Sequence, residues 1–157
     1  MTSDKTDSGV NADVDLSTFA ARFYAQESVQ QTLLELQDEV GLDVLLLLVA
    51  CWLGRRGVTL DAIDWNDLVQ RQQPWQQQVT MPLRRVRRAL RAWPEANALR
   101  EEVKASELRA EWLQLARLQA VLGLPVCAPV MTTREQLTAC CQAQGKQPPA
   151  HLLVLLS

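Results

Sequence analysis

Apolar positions recur with a helical period along most of the chain, and polar clusters and glycines interrupt them. Leu16, Phe19, Ala20 and Phe23 stand at i, i+3, i+4 and i+7 behind a cap at Asp15 or Ser17, which predicts a first helix. Ser28 with Gln31 has the form of a capping box and opens a second helix, with Val29, Leu33, Leu36 and Val40 on its buried face. Gly41 suits a left-handed stop, Leu42 can close back on Leu36, and Asp43 caps a third helix. That third helix, Val44 to Leu53, is apolar all round. A helix with no polar face must be surrounded by protein, so this one is expected to form the axis of the fold. Gly54-Arg55-Arg56-Gly57 ends it with two glycines and two cations suited to a helix C-terminus.

Thr59 is expected to start a weaker helix through Leu60, Ile63, Leu68 and Val69, and Gln70 to Gln73 read as a polar connector. Pro74 suits the first turn of a fifth helix reaching about Trp93. On its helical wheel Trp75, Val79, Leu83, Val86, Leu90 and Trp93 share one side, and Arg84, Arg87, Arg88 and Arg91 the other. Pro82 inside it predicts a kink or local break. Pro94 leaves almost no loop before a sixth helix, about Glu95–Leu122, so the two make a hairpin or a sharply bent pair. Leu99, Val103, Ala110, Leu113 and Val121 line one stripe of that helix, and Leu108, Trp112 and Leu115 a second, nearly opposite. Such a helix is either sandwiched or offers one stripe to a partner.

After Gly123 two prolines and the loss of period predict an extended connector. Thr132 with Glu135 opens a short helix to about Gln144, Gly145 stops it, and Pro148-Pro149 precede an apolar tail, Leu152–Leu156. The expected fold is all-α: a compact bundle of about six helices around the buried 44–53 helix, with a C-terminal appendage. Residues 1–14 are a disordered lead-in, 15–122 the helical domain and 123–157 the extension.

Composition agrees with this reading. The 157 residues suit one domain, and Leu (26), Ala (18) and Gln (16) favour helix over strand. A net charge of −2 excludes a uniformly basic nucleic-acid coat protein. The polar start lacks the apolar segment of a signal peptide. The longest apolar run, ten residues, rises ~15 Å, about half of a ~30 Å hydrocarbon core. A cytoplasmic chain with reduced cysteines and no membrane partner is therefore expected. Cys51 reads as a core residue, and adjacent Cys140 and Cys141 suit neither a disulfide nor a CxxC pair. Cys127, Cys140, Cys141 and His151 lack zinc-site spacing, and glycine-rich phosphate loops, GxSxG and HExxH do not occur, so no metal or cofactor is expected.

The strongest polar feature is the arginine stripe. Arg84, Arg85, Arg87, Arg88 and Arg91 fall within eight residues, and no acid lies between Pro74 and Trp93. Guanidinium forks suit carboxylate or phosphate. RNA contact is a weaker alternative, because the tryptophans of this helix fall on its apolar side and stacking wants exposed rings. Gln37 and Asp38, with Asp43, place carboxylates near a helix junction, where capping is the plain account and acid–base work the other. Lys104, Glu107 and Glu111 share a face, as surface ion pairs or as acids meeting an arginine of another helix.

Phe23-Tyr24-Ala25, Leu36-Gln37-Asp38 with Gly41 and Asp43-Val44, Trp52-Leu53, Pro74-Trp75, Pro82-Leu83-Arg84 with Arg87-Arg88, and Val103-Lys104 with Glu107-Leu108 occur in a specific order. In this order the chain, over about Leu16–Leu118, resembles a proteobacterial family of small cytoplasmic proteins that form a domain of unknown function. The resemblance implies an all-helical domain and assigns no activity, cofactor or site residue. It departs at Gln76, where the pattern often has an arginine.

Two functions follow from the residues. The first is a non-enzymatic helical interaction module that docks a protein partner through Arg84, Arg87, Arg88 and Arg91. The second is a site for an anionic, partly apolar small molecule, or an enzyme, with a tryptophan- and arginine-lined pocket and Gln37, Asp38, Asp43, Glu107 and Glu111 as its polar groups.

Overall fold

The computed structural model describes residues 14–57, 63–122, 133–147 and 150–156. The expected lead-in through residue 13, the helix start at Thr59, the connector after Gly123, Cys127 and the cap at Thr132 lie outside them. The described residues are helical throughout, joined by short turns. They divide into two compact units: one holds the residues before 64 and after 123, the other Asp64–Gly123.

The first unit starts with α1 (Leu16–Tyr24), where the Asp15 carboxylate accepts the Thr18 amide at 2.8 Å. Its stripe of Leu16, Phe19, Ala20 and Phe23 is buried, and Phe19 and Phe23 stack with centroids 5.2 Å apart. The second helix, α2 (Glu27–Glu35), begins one residue before the expected capping box, and no side chain caps it. A π turn, Leu36–Val40, extends it to Gly41, whose φ of +79° needs a residue without Cβ. Leu42 then donates to the Leu36 carbonyl and Gly41 to that of Gln37. This is the expected closure, one residue wider because the π turn adds one to the loop.

Asp43 caps α3 (Val44–Arg55) by accepting the Leu45 amide at 2.9 Å. Leu45 to Leu53 are all buried, as a helix without a polar face requires. A large share of that cover is C-terminal. Along α3 lies α7 (Thr133–Ala143), which buries Gln136, Leu137, Cys140 and Cys141. The approach is so close that a Cβ on Gly54 would stand 2.4 Å from the Thr133 Cα. The tail is itself a helix, α8 (Ala150–Leu156). Arg55 holds it by donating to the Leu156 carbonyl at 3.3 Å, with its guanidinium 4.5 Å from the Phe23 ring centre. Residues 133–156 therefore complete this core rather than hang on it.

The second unit is a helical hairpin. Its first arm is α4 (Trp65–Trp75), capped by Asp64, then a π turn at Gln76–Thr80, then α5 (Met81–Ala89). The expected connector at Gln70 to Gln73 is helical, and Pro74 lies inside the helix rather than at its start. Two prolines eight residues apart each remove a donor and crowd the preceding turn. The chain answers with a widened turn between them, in which the Gln76 carbonyl accepts from Met81 five residues on. Where a kink or local break was expected, the helix continues through a local π turn. Short 3₁₀ turns at Leu90–Ala92 and Pro94–Ala96 reverse the chain into α6 (Asn97–Leu122).

Candidate functional site

The hairpin seam is unusual in what it buries. Trp65 and Leu68 of α4 and Ala110, Leu115 and Leu118 of α6 supply apolar cover at one end. Among these and toward the turn lie buried polar side chains, Gln72, Thr80, Glu107 and Gln114, with no fully buried residue in α5. Glu107 is 6% exposed, and a carboxylate so placed needs countercharge. Two arginines supply it. Arg84 Nε donates to Glu107 Oε1 at 3.1 Å, Arg87 Nε to Glu107 Oε2 at 2.5 Å, and Arg84 Nη2 reaches Glu111 at 3.4 Å. Half of the expected basic face is therefore turned inward. The acids 107 and 111 meet arginines of another helix instead of Lys104 on their own.

Arg85, Arg88 and Arg91 are exposed. The apolar side assigned to this helix is only partly covered: Trp75, Val79, Leu83 and Leu90 are half-buried, while Val86 is 47% and Trp93 58% exposed. Glu107 draws Arg84 and Arg87 of the charged side into the seam, while Arg88 and Arg91 of the same side stay exposed. Four Arg and Glu side chains thereby occupy the seam that the apolar residues would otherwise fill.

At the far end of the same hairpin, about 600 Å³ of open groove lies between α4 with its π turn and α6. Trp75, Val79, Leu118 and Val121 form its apolar wall, and Arg71, Gln78, Gln114 and Arg117 its polar one. Trp75 Nε1 donates to the Ala110 carbonyl at 3.1 Å, which fixes the ring, and the Arg117 guanidinium stands 4.4 Å from the ring centre. Arg71 pairs with Asp67 at 2.8 Å. A tryptophan- and arginine-lined pocket was expected, but none of Gln37, Asp38, Asp43, Glu107 and Glu111 lines this groove. The signal was present in Trp75 and Arg117, but only the hairpin register brings residues 42 apart together.

The remaining expected polar residues lie in the first unit. Asp43 is buried and spent on structure: its carboxylate caps α3, and its amide donates to Gln144 Oε1 at 2.9 Å. Gln37 is half-buried with its carbonyl in the Gly41 closure, and Asp38 is exposed. Capping, the plain account, holds for Asp43. Cys51, Cys140 and Cys141 are buried free thiols. Burial pushes Cys51 and Cys141 up to about 12, and Cys140 well above its ordinary value. Such thiols are poor nucleophiles.

Among the described residues no helix is long and apolar enough to cross a membrane. Residues 15–118 match a family model described as "Protein of unknown function (DUF2390)". With two thirds of its length so matched, the chain belongs to that family. No curated protein and no solved structure matches it.

Proposed function

From membership of a family whose function is open, we propose that the chain is a non-enzymatic interaction module of the bacterial cytoplasm that docks an acidic protein partner through α5. The observation that carries this reading is the division of labour among the arginines. Arg84 and Arg87 lock α5 to Glu107 and Glu111, and that rigid arm with the turn after it presents exposed Arg85, Arg88 and Arg91. Guanidiniums on a fixed helix bind carboxylates at a lower entropic cost than the same groups on a loop. Exposed Trp93, where the arm ends, adds the kind of side chain that dominates interface energies. The test is capture of partners by the parent chain and by the triple variant Arg85→Glu, Arg88→Glu, Arg91→Glu, with helix content checked by circular dichroism. Loss of the same partners on charge reversal, and on raising salt, is the expected result. An unchanged captured set overturns the reading, and capture of RNA alone replaces protein with nucleic acid.

A second reading is supported by the groove. Its apolar wall beside Trp75 and its two arginines suit an anion with an apolar portion, such as an aliphatic or aromatic carboxylate. Titration of such acids, followed by tryptophan fluorescence, is expected to saturate in the parent and to weaken at least tenfold in Arg117→Ala. Equal binding by both proteins removes the groove as the site.

A further inference from the structure

The hairpin leaves some apolar residues of α6 outside while polar ones lie within. Leu99 is 51% exposed and Leu113 52%, while Glu107 and Gln114 are buried. Leu99, Ser106 and Leu113 stand seven residues apart, so at ~100° per residue they drift by only ~20° per step and form one nearly straight stripe. Ser106 at its centre is exposed, and its hydroxyl is turned back onto the Glu102 carbonyl at 3.0 Å. A small side chain with its donor already satisfied lets another helix come close at that point.

The stripe is symmetric about Ser106. A second α6 laid antiparallel across it, with a two-fold axis at Ser106, sets Leu99 of one copy against Leu113 of the other, twice. The charges beside the stripe have the same symmetry. Glu102 and Arg109 lie on one edge of it, four residues before and three after Ser106; both are exposed, and neither takes part in the ion pairs found among the described residues. The same two-fold brings Glu102 of one copy to Arg109 of the other, again twice. A self-complementary patch of this kind is what an isologous interface requires. An unrelated apolar helix would gain from the leucines but would need its own Arg and Glu at matching positions. An acidic partner would meet Glu102.

We propose that the exposed stripe of α6 is the docking surface for a second copy of this chain, packed antiparallel about Ser106. The surface is distinct from the α5 arginines, so the dimer would present two basic arms. This inference stands independently of the function proposed for those arms.

Sedimentation of the full chain tests it. The parent is expected to dimerise, and Leu99→Glu/Leu113→Glu, which changes only exposed positions, to sediment as a folded monomer. Glu102→Arg or Arg109→Glu alone opposes like charges twice and is expected to weaken dimerisation at least tenfold. The double exchange Glu102→Arg/Arg109→Glu restores it, which loss of folding or of general solubility would not do. Ser106→Cys is expected to give a covalent dimer linked 106 to 106 under mild oxidation, while Lys104→Cys on another face gives none. A monomeric parent at 100 μM, a dimer indifferent to the leucine exchange, or failure of the double exchange to rescue would each overturn the proposal.

Discussion

Single charged side chains decide more here than their number suggests. Glu107 is buried between two arginines whose side chains are 18% exposed, so removing it leaves two cations in a partly desolvated seam. Breaking such a pair costs several kcal/mol, whereas an exposed pair contributes well under 1 kcal/mol. Glu107→Ala is expected to lower the urea-unfolding free energy by about 2–4 kcal/mol. Asp67→Ala, which removes the exposed partner of Arg71, should lower it by no more than about 0.5 kcal/mol. Equal effects would show that the inward turn of Arg84 and Arg87 has no energetic weight. The thiols make a prediction that depends on pH. Burial raises Cys51 from 9.0 to about 12, so the folded state holds a proton that the unfolded chain releases. Its contribution to stability is whole below pH 9 and falls as pH rises toward 12, with a slope of about 1.4 kcal/mol per pH unit. Denaturation series between pH 8 and 10.5 should show a shallower decline for Cys51→Ala than for the parent. Parallel curves would contradict the burial of that thiol.

At the level of elements, the close approach of α7 to α3 rests on Gly54. A helix-interior glycine normally costs about 0.5–1 kcal/mol relative to alanine, so Gly54→Ala gains that much from the backbone. The added Cβ would, however, stand 2.4 Å from the Thr133 Cα and 2.7 Å from its hydroxyl. Overpacking against backbone costs about 1–3 kcal/mol. The second effect wins, and Gly54→Ala is expected to lower the melting temperature; an unchanged or raised one would show that α7 yields freely. This contact also marks where sequence reading stops. The apolar run Val44–Leu53 announced its own burial, and Asp15, Gly41 and Asp43 announced their caps, because those signals are local. Nothing local says that α7 covers α3, or that Leu152–Leu156 ends as a helix under Arg55. Pro74 and Pro82 misled for a related reason. Pro74 alone reads as a helix start and Pro82 alone as a kink or break, while together they are relieved by one π turn. The arginine stripe was legible as a stripe, but its direction was not. Which side of α5 faces α6 depended on a buried acid 20 residues from Arg87.

For the whole molecule, the two units differ in what holds them. The residues before 64 and after 123 contain the all-buried α3 and most of the buried apolar side chains, with eleven Asp and Glu against six Lys and Arg. Residues 64–123 contain a half-polar seam, with ten Lys and Arg against seven Asp and Glu. Hydrophobic burial scales with apolar area, at about 25 cal/mol per Å², while a paired charge returns little more than its desolvation cost. Local stability should follow that difference. In native-state hydrogen exchange, amides of Leu46–Leu53 are expected to exchange only through opening of the unit that holds α3, and those of Met81–Ala89 through a separate opening of the hairpin at lower free energy. Glu107→Ala should accelerate exchange in α5 and leave α3 unchanged, since the acid touches only the hairpin. If α3 and α5 exchange at one rate and respond together to Glu107→Ala, the chain unfolds as a single cooperative body. The polar seam would then be as stable as the apolar one. If α5 opens first, a partner bound at Arg85, Arg88 and Arg91 holds it closed, and binding is read out as slower exchange in α5 alone.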